Sequence, residues 1–242
     1  MEFYQAIAHR YDYIFPYSPK QKEFVLSGLD APEASDLLEI GCATGSLTLE
    51  LAKHCHSITG LDIDESLISF ARKKAALSND RVEICEMDML GIAESFSPAS
   101  FDGICSFGNT VVHLDDKDKM LDLFRSVKTL LKEAAPFHIQ IINYDRILDE
   151  HMSSLPTIEN EVIQFVRRYQ YLEDEHRIEF STTLTDKQTG TSSSGMVRLY
   201  PLRQKELEEL LREAGFSKLA WFGGFDRSSL ERTSIPLILT AQ

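Results

Sequence analysis

The segment Asp36-Leu37-Leu38-Glu39-Ile40-Gly41-Cys42-Ala43-Thr44-Gly45 runs directly into Ser46-Leu47-Thr48-Leu49-Glu50-Leu51-Ala52, and it constrains the fold more than any other part of the chain. A short apolar run, a turn of small residues and a helical pattern predict strand, tight turn and helix. That is the layout of a nucleotide-binding crevice in an open parallel sheet. Glycine suits the turn because it adopts positive φ without strain and leaves the backbone bare for a ligand. Dinucleotide sites carry G-x-G-x-x-G so that a pyrophosphate can reach that backbone. Here Ala43 replaces the second glycine and no third glycine follows at the required place. Glu39, two residues before Gly41, places a carboxylate where a cationic ligand is favoured over a pyrophosphate.

The elements downstream keep the same rhythm. His56-Ser57-Ile58-Thr59-Gly60-Leu61-Asp62 reads as a second strand, and Asp62 lies 21 residues beyond Gly41, the spacing of a ribose-binding acid. Asp64 reads as the N-cap of a helix from Glu65 to Leu77, with Leu67, Phe70, Ala71 and Lys74 as its packing stripe. Residues 81–87 and 101–107 read as the third and fourth strands, and 137–142 as the fifth. An amphipathic helix opened by Asp115 and Asp116 lies between the last two. Such alternation predicts a doubly wound parallel sheet with Gly41, Asp62, Asp88 and Asn109 gathered on one edge. A helix from Gln204 and two closing strands, 217–225 and 235–240, predict a C-terminal antiparallel hairpin. The fold class expected is therefore α/β: a Rossmann-like, mostly parallel seven-stranded sheet with a small antiparallel β lid.

The acid-x-Gly-x-Ala-x-Gly turn followed by acids at the next two strand ends resembles motif I and its sequels in the class I S-adenosylmethionine (SAM) methyltransferases. That resemblance implies SAM as cofactor and S-adenosylhomocysteine as product. It implies cofactor contacts from Glu39, Gly41, Ala43, Gly45, Asp62, Ile63, Asp88, Met89 and Phe107, with Asp88 toward the adenine amine. A narrower likeness lies in Phe107-Gly108-Asn109-Thr110-Val111-Val112-His113-Leu114-Asp115 and Asn143-Tyr144-Asp145-Arg146-Ile147-Leu148, which look like segments of the glycine and sarcosine N-methyltransferases. It implies Asn109 and His113 near the transferred methyl, and Asn143 and Tyr144 in the acceptor pocket. Tyr4 and Tyr11, in an aromatic N-terminal segment interrupted by Pro16 and Pro19, are implied to contact ligand or substrate, Tyr11 beside the chemistry. Arg198 is a candidate for an acceptor carboxylate, against the simpler role of an exposed ion pair.

Residues 158–200 depart from the βα rhythm. Segments 162–172, 177–184 and 194–200 read as three antiparallel strands leaving the edge where the cofactor belongs. They are placed to lid the crevice over a small acceptor; a homodimer through this sheet is the other use. The domains expected are a helical cover over 1–30, a core of 31–150 with 201–242, and a lid over 151–200. With 38 acidic against 25 basic residues the net charge is −13, which argues against a nucleic-acid partner. The absence of an Asn/Asp-Pro-Pro-Tyr segment after the fourth strand argues against DNA amino-methylation. Neither a bilayer-length apolar run nor a signal peptide is evident, so a cytoplasmic protein is expected. Four cysteines and seven histidines lack metal-ligand spacing, and no metal is expected; short basic pairs such as Arg167-Arg168 read as solvated faces. The function expected is methyl transfer to a small molecule, with an amine ahead of O- or C-acceptors. A SAM-binding regulator and a nicotinamide oxidoreductase stand as rivals.

Overall fold

The computed structural model describes residues 2–78 and 80–242; residue 1, which opens the expected N-terminal cover, lies outside them. In chain order the elements are α1 (Glu2–Ile7), α2 (Tyr11–Ile14), α3 (Pro19–Leu26), β1 (Asp36–Ile40), α4 (Ser46–Ala52), β2 (Ser57–Asp62), α5 (Glu65–Ala75), β3 (Val82–Glu86), α6 (Ile92–Ser95) and β4 (Gly103–Ser106). They continue with α7 (Lys117–Leu130), β5 (Phe137–Ile142), α8 (Tyr144–Asp149), β6 (Ser154–Glu159), β7 (Ile163–Leu172), β8 (Arg177–Asp186), β9 (Ser192–Leu199), α9 (Gln204–Glu213), β10 (Leu219–Phe222) and β11 (Pro236–Ala241). Among the described residues no helix is long and apolar enough to cross a membrane.

Seven strands form one sheet in the order β10-β11-β5-β4-β1-β2-β3. β1 through β5 run parallel, while β11 pairs antiparallel with both β5 and β10. Strands covered by helices on both faces must be apolar along their length. Accordingly Leu38, Ile40, Ile104, Phe137, Ile139 and Ile141 are almost completely buried. Each such side chain contributes roughly 1.5–3 kcal/mol relative to exposure. The helices are stopped and started by local chemistry. Asp64 accepts from the N–H groups of Ser66 and Leu67, Asp116 from Asp118, and Asn143 from Arg146.

The order of connection reverses between β1 and β4. Crossovers in one direction build β2 and β3 outward, and the later elements build the other side. Ligands of open α/β sheets bind at the carboxyl ends of the strands flanking such a switch. Here those ends are Gly41 after β1 and Gly108 after β4, both at positive φ, +79° and +75°.

The second sheet is antiparallel, β6-β7-β8-β9, so the lid has four strands where three were expected. The additional strand contains Pro156, which weakens any reading of that stretch as a strand. Proline is tolerated on an edge, and β6 is an edge. Its register with β7 shifts between Leu155 and Ile158. Two further expectations are corrected. Pro19 does not interrupt a helix but opens α3 at its first position, where the missing N–H costs nothing. The core stripe of α5 is Leu67, Ile68 and Ala71, while Phe70 is 37% exposed with the Lys73 ammonium over its ring, and Lys74 is turned into an ion pair.

Candidate functional site

A cavity of about 770 Å³ opens at the switch point and extends beneath the lid. One end is walled by the turn after β1. Gly41, at positive φ, packs so closely on the next loop that an added Cβ would come within 2.3 Å of Thr110 Oγ1. Gly45 also has positive φ and begins α4 packed on Ala71, but it does not line the cavity. Ala43 does line it, at φ +49°.

The three acids expected at the cofactor are among those lining this end. Glu39 is 5% exposed and accepts a 2.5 Å hydrogen bond from Thr48 Oγ1. Burial pushes its pKa up to about 8, with the charge of Asp62 adding to the effect and the Thr48 bond opposing it. A buried carboxyl held close to neutrality is relieved by a cation arriving beside it. Asp62 accepts from the N–H of Ala43 at 2.9 Å and from that of Asp64 at 3.0 Å, and burial raises its pKa despite those bonds. Asp88 is exposed at the rim and accepts from the Leu90 N–H, capping a short 3-10 turn that begins at Met89. Ile63, Met89 and Phe107 complete the wall, Ile63 being 53% exposed.

The loop after β4 forms the middle of the cavity. Gly108 and Asn109 are successive residues at positive φ, and nothing lies within 4 Å of a Cβ built on Gly108. Gln140 holds the loop by accepting the Gly108 N–H through its side chain at 2.8 Å. The Asn109 amide accepts from the Ile142 N–H at 3.0 Å and donates to the Tyr144 hydroxyl at 2.9 Å. Asn109 thus lines the cavity with its side chain already engaged in fixing the loop. His113 shares a 2.9 Å hydrogen bond with the Tyr4 hydroxyl, and burial lowers its pKa to about 4, so its ring is neutral near pH 7. The rings of Tyr4 and Tyr11 meet at a tilt of 51°, with centroids 6.4 Å apart, and burial raises both phenols.

The N-terminal segment is laced over this arrangement. Asp12 accepts from Thr44 Oγ1 at 2.5 Å, Ser46 Oγ at 3.1 Å and Lys74 Nζ at 2.6 Å. Arg10 reaches the opposite way to Asp186 of β8 at 2.7 Å and to Gln188.

The structure therefore brings together Tyr4, Tyr11, Glu39, Gly41, Ala43, Asp62, Ile63, Asp88, Met89, Phe107, Asn109 and His113. It does not bring Asn143, Tyr144 or Arg198 to the cavity wall. Asn143 caps α8 and donates to the Ser234 carbonyl. Tyr144 is fully buried behind Asn109. Arg198 is exposed and pairs with Glu175 at 2.7 Å. Lid residues instead supply the far wall, namely Arg167, Tyr169, Phe180, Met196, Val197 and Leu199. Strand alternation carried the signal, because Ile163, Phe165, Arg167 and Tyr169 share one face of β7 and three of the four are buried apolar or aromatic residues.

SAM fits the first end of this cavity. Gly41 and Ala43 line it, Glu39 offers a carboxylate whose ionisation a cation would favour, and Asp62 and Asp88 stand at successive strand ends as acceptors. Comparison with known proteins points the same way. A methyltransferase-domain family pattern matches residues 37–134. The Bacillus subtilis (strain 168) protein YqeM, whose name assigns it provisionally to the methyltransferases, is 24% identical over 217 residues, covering 88% of this chain and 86% of that one. The glycine/sarcosine N-methyltransferase of Aphanothece halophytica is 23% identical over 236 residues, covering 94% and 84%. The crystal structure of a SAM-dependent methyltransferase from Clostridium acetobutylicum ATCC 824 superposes with a TM-score of 0.81 at 16% identity, covering 99% of this chain and 98% of that one, which shows a shared fold. With the glycine turn, the strand-end acids and the matched domain pattern in agreement, the chain carries a SAM-dependent methyltransferase domain over residues 37–134, set in the class I methyltransferase fold.

Proposed function

We propose that this enzyme methylates a nitrogen of a small molecule enclosed between the β1 turn and the lid. The observation that carries the reading is the continuity of the cavity, which runs from Gly41 and Glu39 at one end to Tyr169, Phe180 and Leu199 of the lid at the other. SAM supplies a methyl group already activated on a sulfonium sulfur. The chain's own task is to align the acceptor and keep water out, a contribution of up to roughly 7–11 kcal/mol when alignment is good.

An amine acceptor must present a lone pair, and so must arrive or become neutral. The middle of the cavity suits that need, since His113 and Tyr4 offer a neutral hydrogen-bonded pair in place of a fixed charge. Asn109 and the Gly108 backbone hold the loop beside them open. On this reading Tyr11 and Tyr4 cover the reacting atoms, while Asn109 and His113 orient the nucleophile. The name of the Aphanothece halophytica relative supports a nitrogen acceptor. The net charge of −13 and the acids lining the cavity support a small molecule over a nucleic acid.

The test is incubation with methyl-labelled SAM and matched panels of small amines, small alcohols and RNA. Label in amines supports the proposal; label confined to alcohols or RNA overturns it, and SAM binding without transfer to any acceptor does so too.

A further inference from the structure

The lid end of the cavity carries a permanent positive charge that no carboxylate answers. Arg167 lies on the cavity-facing side of β7. Its Nη2 donates to the Pro156 carbonyl at 2.6 Å. Its Nε is buried without a hydrogen-bond partner, and among the described residues the guanidinium makes no ion pair. A buried N–H of a charged group is costly to leave unanswered, so an acceptor atom arriving beside Arg167 gains that energy back. Arg168, one residue on, is exposed on the opposite face.

The surroundings define what could fill the space. Tyr169 and Phe180 stack at 5.1 Å and 30°, and Val197, Leu199 and the half-exposed Met196 add apolar surface. At the other end stand Glu39, Asp62, Asp64 and Asp88. An anion is attracted to the lid end and repelled from the turn end, which fixes the direction in which a polar acceptor enters.

We propose that Arg167 anchors a carboxylate on the acceptor, and that the acceptor is an apolar acid whose body packs on Tyr169, Phe180, Val197 and Leu199. The assignment rests on the small-molecule reading above. A carboxylate brings two acceptor oxygens to a planar guanidinium whose N–H groups are answered only by the Pro156 carbonyl. A dianion such as a phosphate monoester calls for a second cation, and among the described cavity-lining residues the remaining basic side chain, His113, is held neutral near pH 7. The carboxylate at the lid leaves the opposite end of the acceptor pointing at the β4 loop, where the methyl group is delivered.

Calorimetric titration of the protein loaded with S-adenosylhomocysteine tests this without relying on turnover. The probes are 3-phenylpropionate, 3-phenylpropan-1-ol and phenyl phosphate. Wild type is expected to bind 3-phenylpropionate at least tenfold more tightly than the alcohol and more tightly than phenyl phosphate. Arg167→Ala is expected to erase that preference with unchanged affinity for S-adenosylhomocysteine, and Arg167→Lys to retain part of it. Equal binding of acid and alcohol by wild type, tighter binding of phenyl phosphate, no binding of any probe, or an acid preference that survives Arg167→Ala would each overturn the assignment. The wild-type comparison stands even if the alanine variant fails to fold. Label transfer to small amines that lack a carboxylate would leave the broader methylation reading intact while removing this one.

Discussion

The carboxylate of Asp62 accepts the backbone N–H of Ala43 at 2.9 Å, so the residue expected to meet the cofactor's sugar also closes the turn after β1. Its other oxygen accepts the Asp64 N–H, fixing the start of α5. One side chain at the end of β2 thus joins two loops across the parallel pair β1 and β2.

Replacing Asp62 should therefore do two separable things. Asp62→Ala leaves two backbone donors without their acceptor and is expected to cost roughly 1–3 kcal/mol of stability, together with a large loss of SAM affinity. Asp62→Asn keeps one carbonyl oxygen for those donors and is expected to recover part of the stability and little of the affinity. Thermal unfolding and calorimetry with SAM measure the two effects independently. Unchanged affinity in the folded alanine variant would remove Asp62 from the cofactor site.

Glu39 makes pH a second probe. Its folded pKa, about 8, lies above the ordinary value of 4.5, so the folded state binds the extra proton. The associated stability is fully present below pH 4.5 and is lost as pH rises through 8. Cofactor-free protein should accordingly lose stability across that interval, and Glu39→Gln should flatten the dependence and raise the melting temperature at pH 8 while weakening SAM binding. A cation that favours the ionised form should also expel a proton, visible at pH 7 as a buffer-dependent binding enthalpy.

Gly41 is constrained twice, by φ +79° and by Thr110 standing where a Cβ would go. Backbone strain alone is expected to cost Gly41→Ala about 1–3 kcal/mol, with the collision adding to it. Thr110→Ala opens that space, so the double variant should be more stable than the sum of the single effects. A double-mutant cycle read by urea denaturation gives the coupling directly. Strict additivity would show that the loops after β1 and β4 do not meet as described.

Asp12 gives a contrasting case. Burial raises its carboxyl, but hydrogen bonds from Lys74, Thr44 and Ser46 outweigh that and hold its pKa below the ordinary 3.8. The stabilisation is present above pH 3.8 and is lost as pH falls through the lower folded value. Because the pair with Lys74 is partly exposed, Asp12→Ala is expected to change global stability by less than about 1 kcal/mol. Hydrogen exchange in residues 4–15 should nevertheless quicken, and SAM should dissociate faster.

The parts of the fold that could be read from the chain were those written locally. Gly41 and Gly45, the acid ending β2 and the apolar run of β5 announce themselves within a few residues. Asp64 and Asp116 cap helices as their position suggests. The parts that escaped depend on partners distant in sequence. Phe70 looked like core because its spacing fits a helix stripe, yet its ring turns outward, 37% exposed beneath the Lys73 ammonium. Strand β6 was hidden by Pro156, acceptable only because its outer side is unpaired. Arg167-Arg168 resembled a solvated pair until β7 sent one residue inward and the other out. Asn143 and Tyr144 followed a familiar pattern, but the structure uses them to start α8 and to brace Asn109.

Arg10 and Asp12 are separated by one residue, and they grip different parts of the molecule, Asp186 of β8 and the Thr44–Ser46 turn. A displacement that uncovers the turn must drag on the lid as well. Damage to the short stretch from Arg10 to Asp12 would therefore be felt at both ends of the cavity, at the β1 turn and at β8 of the lid, instead of at one.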